Sequence, residues 1–333
     1  MRAARHFAVL LFACGLPLPS ASTDNSGSTP KPTAREVWIP VGKAQLYARE
    51  IGRGQPIIVL HGGPDFDISY LLPDMDRLAD SYRLLYYDQR GRGRSAHGVA
   101  PEDVSLQSEL DDLETVRRHF ALDKVALLGH SWGAVLALEY AARRPERVSQ
   151  LIVMNPAPVS KEDFQLLRKE RGEKWPDAVE KLKTMRGTAA YQAGDPDAVA
   201  AYYRIHFEAA LQRPDDLARL IARMRASFTR QGILKARAVE DRLMQDTWLS
   251  NDYDLIPRLT RLTIPTLVIY GDHEFIPKAC SAHIAQAIPN ARYVTFEACG
   301  HFSFLECPEA VRQQIDSLFT SRYSCARKAR ETY

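Results

Sequence analysis

Residues 124–143 read KVALLGHSWGAVLALEYAAR, and this stretch decides the fold. Lys124 to Gly129 is a short, continuous apolar run closed by glycine, the pattern of a strand buried on both faces. Trp132 to Arg143 is rich in Ala and Leu and stops before Pro145, the pattern of a helix. Between them stands Gly129-His130-Ser131-Trp132-Gly133, a G-x-S-x-G pentapeptide in the strand-then-helix context that gives it meaning. Small residues on either side let the chain turn tightly enough to push the Ser131 hydroxyl out at the carboxyl end of a sheet, where open α/β folds bind ligands.

Working outward, more buried strands are expected. Pro56 to Leu60 runs into His61-Gly62-Gly63-Pro64, and Arg83 to Asp88 runs into Gln89-Arg90-Gly91. Val148 to Met154, Pro265 to Tyr270 and Arg292 to Phe296 complete the set, with helices expected over Leu106 to Phe120 and Pro308 to Phe319. Glu36 to Val41 and Gln45 to Ile51 flank a Val41-Gly42-Lys43 turn and read as a hairpin. The repeated β-then-α order predicts a mostly parallel sheet covered by helices. It is broken from about Ser160 to Ser250, where the sequence is polar and helical in period. The expected organisation is core at 36–157 and 251–320, with a helical cap at 158–250 inserted between.

The termini read differently. Arg2 and Arg5 precede an apolar run from Phe7 to Leu16 and small residues at Ser20-Ala21-Ser22, so residues 1–22 have the form of a secretory signal. Cys14, in Leu11-Phe12-Ala13-Cys14-Gly15, is a candidate for lipidation in an exported protein. Residues 23–35 read as a linker and 321–333 as a basic tail. No apolar run is long enough for a membrane span, which needs about 20 residues. The 333 residues are 45% hydrophobic and 26% charged, an ordinary globular mixture, and a formal charge of +3 makes no case for nucleic acid as a partner. Cys280, Cys299, Cys307 and Cys325 are spaced unlike a zinc site; bridges and free thiols are both open for them. No motif asks for a metal or other cofactor.

A serine hydroxyl needs a base to become a nucleophile. His301 follows the last expected strand and comes after both Ser131 and the candidate acids, the order Ser…Asp/Glu…His. His61 reads as a support for its loop, and His130 as a packed residue pointing away. The loop after Tyr270, GDHEFIP at 271–277, offers two acids to orient the imidazole, Asp272 and Glu274. In His61-Gly62-Gly63-Pro64 the backbone N–H of Gly63 is expected to bind an oxyanion together with that of Trp132.

Five segments together resemble the α/β-hydrolase family and its proline iminopeptidase-like branch: HGGP at 61–64, DQRGRGRS at 88–95, GHSWG at 129–133, GDHEFIP at 271–277 and CGHFSFLECPE at 299–309. The resemblance implies an α/β-hydrolase fold, a mostly parallel sheet flanked by helices with an inserted helical lid. It implies Ser131 as nucleophile, Glu274 rather than Asp272 as acid, His301 as base, and Gly63 with Trp132 as oxyanion hole. It also implies lid carboxylates that hold the free amine of a short peptide, for which Glu208 and Glu240 are the candidates. Two positions depart from the pattern. Asp65 replaces the glycine that usually follows HGGP, and reads either as an added amine anchor or as a narrowing of the pocket. Glu274 stands where Asp is commoner. A carboxylesterase or lactonase with the same triad is the second reading, and a non-catalytic ligand-binding domain the third.

Overall fold

In the computed structural model the described residues are 32–330, with side chains through Thr320. The expected signal segment, Cys14 and most of the linker lie outside them. Eight strands form one sheet: β1 (Arg35–Val41), β2 (Ala44–Ile51), β3 (Gln55–Leu60), β4 (Tyr82–Tyr87), β5 (Val125–His130), β6 (Val148–Met154), β7 (Thr266–Gly271) and β8 (Ala291–Phe296), in the order β1-β2-β4-β3-β5-β6-β7-β8. β2 runs antiparallel to β1 and β4, and every other pairing is parallel.

The central strands are buried on both faces, which is why they read as unbroken apolar runs. Their alternate residues feed two separate cores. Ile57 and Val59 of β3 join one core, Ile58 and Leu60 the other. The second core is closed by α1 (Leu106–His119), α2 (Trp132–Arg143) and, after the cap, α10 (Lys278–Ala287). Each such residue, fully buried, contributes roughly 1.5–3 kcal/mol.

Between β6 and β7 the chain builds the insertion: α3 (Lys161–Lys174), α4 (Pro176–Arg186), the short α5 (Ala189–Gln192), α6 (Pro196–Phe207), α7 (Pro214–Ser227) and α8 (Arg230–Asp246). The four-residue α9 (Ile256–Leu259) leads back to the sheet. Tyr203 and Phe207 of α6 and Leu220 of α7 pack into the first core, so the insertion shares the sheet's apolar interior. After β8 come α11 (Ser303–Glu306) and α12 (Pro308–Arg330). This last helix runs well past the Phe319 expected from the sequence and takes up most of the segment read as a tail.

The turn after β5 is held by contacts that leave no room for side chains. Ser131 has φ 56° and ψ −117°, a conformation costly for any residue but glycine. Its backbone is fixed on both sides: its N–H donates to Met154 O (3.1 Å), and its carbonyl accepts from Ala134 (3.0 Å) and Ala157 (3.2 Å). A Cβ on Gly133 would lie 2.1 Å from Leu60 O, and one on Gly129 would lie 2.2 Å from Gly133 O. Helix α2 therefore leaves the turn with its backbone directly against the end of β3. Gly133→Ala is expected to cost about 3 kcal/mol or more, or to prevent folding, because backbone must move to admit the methyl group; urea denaturation measures it.

Candidate functional site

Three strand ends bring the predicted residues together. Ser131 heads α2, Glu274 lies in the loop between β7 and α10, and His301 lies between β8 and α11. His301 Nδ1 is 2.9 Å from both carboxylate oxygens of Glu274, and the two side chains are only 3% and 1% exposed. Ser131 and His301 border the same cavity, of about 110 Å³. Asp272 turns elsewhere. It is exposed, and its carboxylate accepts the Cys299 N–H at 3.2 Å, closing the loop after β8.

Supports unseen in the sequence hold this pair. Asn155 Nδ2 donates to Glu274 Oε2 (2.9 Å) and to Gly300 O (3.1 Å), while the Ser303 hydroxyl donates to Asn155 Oδ1 (2.6 Å). Asn155 follows β6 with φ 44°, a left-handed conformation that Asn tolerates better than most residues. Its signal was a polar, turn-forming residue at the carboxyl end of a buried strand. Glu306 accepts the N–H of Gly300 and that of Gln212, both at 2.7 Å, and ties the His301 loop to the insertion.

A second chain of hydrogen bonds runs beneath the serine. The Gly62 N–H donates to Tyr70 Oη (2.7 Å), and Tyr70 donates to His130 Nδ1 (2.7 Å). His130 Nε2 donates to His301 O (2.8 Å). His130 is thus packed under the turn, and burial, with His301 beside it, pushes its pKa well below the ordinary range. His61 is held the same way: its Nδ1 faces Gly62 O at 2.8 Å and its Nε2 accepts the Gln89 N–H at 3.0 Å. Burial, with Arg92 nearby, pushes His61 down to about 3. Both rings are neutral braces of fixed tautomer at neutral pH.

Gly63, at φ 123°, borders the cavity, and a Cβ there would lie 2.3 Å from Asp65 N. The Trp132 indole is buried against Trp248. Its backbone N–H belongs to the first turn of α2, where amides lack partners within the helix. The other candidates separate. Asp65 and Glu240 both border the cavity. Glu208 does not: it is exposed, one position beyond Phe207 on a turn whose buried face carries Tyr203 and Phe207. A step of one residue rotates a side chain about 100° around the axis, so Asp65, not Glu208, is the acid that accompanies Glu240.

Burial pushes the Asp65 carboxyl up, against the hydrogen bond donated by the Tyr203 hydroxyl. Burial and the neighbouring Asp65 push Glu240 well above the usual carboxylate range, with Arg186 and Arg237 opposing. Two acids on one cavity resist losing both protons. Cys280, Cys299 and Cys307 are free thiols, and the Cys325 side chain lies outside the described residues. Among the described residues no group of three or more His, Cys, Asp or Glu could hold a metal ion, and no helix is long and apolar enough to cross a membrane.

A family profile described as alpha/beta hydrolase fold matches residues 55–308. A proline iminopeptidase of Saccharolobus solfataricus is 26% identical over 286 residues, covering 83% of this chain and 89% of that protein. The crystal structure of a proline iminopeptidase from Mycobacterium smegmatis superposes with a TM-score of 0.67 at 24% identity, over 87% of this chain and 100% of that one. Est816, an N-acyl homoserine lactone degrading enzyme, superposes with a TM-score of 0.61 at 22% identity, over 84% and 99%. Sheet order, the strained turn after β5 and the family profile agree: the chain is a hydrolase belonging to the alpha/beta hydrolase family, similar within it to proline iminopeptidases.

Proposed function

We propose that this chain is an exported serine hydrolase that releases the N-terminal residue, proline foremost, from short peptides through an acyl-enzyme. The observation that carries the reading is the pair of carboxyl groups, Asp65 and Glu240, on the cavity that also holds Ser131 and His301. A primary or secondary ammonium group bound between them favours the ionised form of both and is strongly attracted where the effective dielectric is low. Such a site selects a free N-terminus and holds the first carbonyl within reach of Ser131. The export part of the proposal rests on residues 1–22 alone, with Cys14 as the lipid attachment point if the protein is anchored.

In this mechanism Ser131 Oγ attacks the scissile carbonyl carbon and its proton passes to His301 Nε2. Glu274, bonded to Nδ1, stabilises the imidazolium and keeps the ring oriented. The N–H groups of Gly63 and Trp132 receive the oxyanion, each worth roughly 3–4 kcal/mol in the transition state. Collapse of the tetrahedral intermediate breaks the amide C–N bond, and the leaving nitrogen takes the proton from His301. Water, deprotonated by His301, then attacks the ester carbonyl and returns Ser131 to its starting state.

A second reading, an esterase or lactonase, draws on Arg186 and Arg237. They offset part of the acids' charge and make the cavity less selective for a cation. Paired assays of proline p-nitroanilide and p-nitrophenyl acetate separate the two. The peptidase reading expects turnover of the anilide, with Ser131→Ala lowering kcat at least about a thousandfold; turnover of the ester alone overturns it in favour of the second reading.

Positioning by Asn155 is tested with Asn155→Gly, which keeps the backbone conformation accessible. The expected result is a fall in kcat of roughly tenfold to a hundredfold with little change in KM, since the acid and base lose alignment while substrate contacts remain. The acid pair has a stability signature. Glu240 is raised in the folded state, so its stabilising share is complete below its unfolded pKa, near 4.5, and is lost as pH rises from there through the folded value. Glu240→Gln is expected to raise the melting temperature at pH 8 and to flatten its decline with pH, while weakening binding of the substrate amine. Melting curves from pH 4 to 9 measure this.

A further inference from the structure

The cavity at Ser131 adjoins a larger one, of about 430 Å³. Asp65, Phe66, Tyr70 and Tyr203 border both, and the hydrogen bond from Tyr203 to Asp65 forms part of the partition. The wall of the larger chamber is mainly apolar, with Val199, Met224, Phe228, Ile233 and Ala236. Two arginines reach it. Arg94 is occupied: its guanidinium lies 3.6 Å from the centre of the Tyr47 ring and its Nε donates to Asp88 at 3.3 Å. Arg237 is different. Its Nη1 donates to Tyr191 O (2.7 Å) and its guanidinium lies over the Tyr191 ring at 3.6 Å. Its Nη2 is buried with no hydrogen-bond partner among the described residues.

A buried guanidinium N–H left unpaired is costly, and its best partner is a carboxylate, which a guanidinium can bind through two parallel bonds. Arg237 and Glu240 are three residues apart on α8, a spacing that sets Cβ atoms roughly 5–6 Å apart. Arg237 borders the larger chamber and Glu240 the smaller. The helix thus offers a cation to one chamber and an acid to the other. Two residues of extended chain span about 7 Å, so the charged ends of a dipeptide are spaced on the scale of these two side chains.

We infer that the larger chamber binds the residue on the leaving side of the scissile amide, an apolar residue whose free carboxylate pairs with Arg237, and that the preferred substrates are therefore dipeptides with an apolar second residue. The inference rests on the peptidase reading. A longer peptide carries its carboxylate beyond Arg237 and leaves that N–H unpaired. A blocked dipeptide presents a neutral amide and forms the weaker bond.

The test compares Pro-Leu, Pro-Leu amide and prolinamide as substrates of the wild type, Arg237→Gln and Ala236→Phe. The wild type is expected to cleave Pro-Leu with kcat/KM about tenfold above that for Pro-Leu amide, the scale of one charge-assisted hydrogen bond. Arg237→Gln should bring that ratio close to one. Ala236→Phe, which fills the chamber, should lower the ratio of Pro-Leu to prolinamide turnover about tenfold. A wild-type ratio of acid to amide near one overturns the carboxylate site while leaving the peptidase reading standing, and so does a ratio that Arg237→Gln does not move. If Arg237→Gln fails to fold, the wild-type ratio and Ala236→Phe still decide. Hydrolysis of p-nitrophenyl acetate with no cleavage of any of the three substrates overturns the peptidase reading and this inference with it.

Discussion

The arrangement depends on a contact between backbones. Gly133, in the first turn of α2, lies against Leu60 O at the end of β3, and Gly129 lies against Gly133, with no side chain between. That contact brings the start of α2 beside the loop that carries Gly63. It also keeps Ser131 in a backbone conformation that other residues avoid. Strain of this kind costs of order 1–3 kcal/mol and persists only where the surroundings over-determine it. Here they do: the strained residue is bonded through its N–H to β6 and through its carbonyl to α2 and the segment after β6. The fully buried strands on either side supply a framework that one local cost does not disturb.

From that framework the polar groups are ordered by what they are denied. His61 and His130 are buried without carboxylates, so they stay neutral and serve as fixed hydrogen-bonding links. His301 is given Glu274, whose carboxylate lies 2.9 Å from its Nδ1. The three histidines around the turn thus differ in their surroundings, set by their partners rather than by their type. The chain Gly62–Tyr70–His130–His301 joins the loop, the turn and the segment that carries His301, so a displacement of one is felt by the others.

Much of this was legible in the sequence because it is local. Strands buried on both faces announce themselves as apolar runs, and the turn after β5 as a pentapeptide in context. Glu274 over Asp272 is implied only by the resemblance, since the loop's residues alone admit either acid; in the structure these acids face opposite partners: one the imidazole, the other the Cys299 amide. The unread features join residues far apart in the chain. Asp65 and Tyr203 are separated by 138 positions, and Asn155 and Glu274 by 119. No periodicity links such pairs; only the packing of the insertion on the sheet does. Glu208 was misplaced for a related reason. Its helix was evident, but which side faced the cavity was set by Tyr203 and Phe207 entering the core, one residue short of it.

The insertion explains how one scaffold can carry a fixed reaction and a variable choice of substrate. All the groups proposed to handle the acyl transfer sit at strand ends or in loops tied to them, and the sheet closes without the insertion's help: β6 pairs with β7 whatever lies between. Helix α8 is free of that duty. Its Val239 and Leu243 anchor it in the core that covers α2, while Arg237 and Glu240 reach the two chambers. The residues that hold the helix are thus distinct from the residues proposed to read the ligand. Replacing a residue on a cavity wall alters charge there without opening a void in a packed core; replacing an anchor does open one, at roughly 2–5 kcal/mol for Leu to Ala. The substrate preference proposed for this chain is therefore open to change at Arg237 and Glu240 at a far smaller cost in stability than at any residue of the turn that holds Ser131.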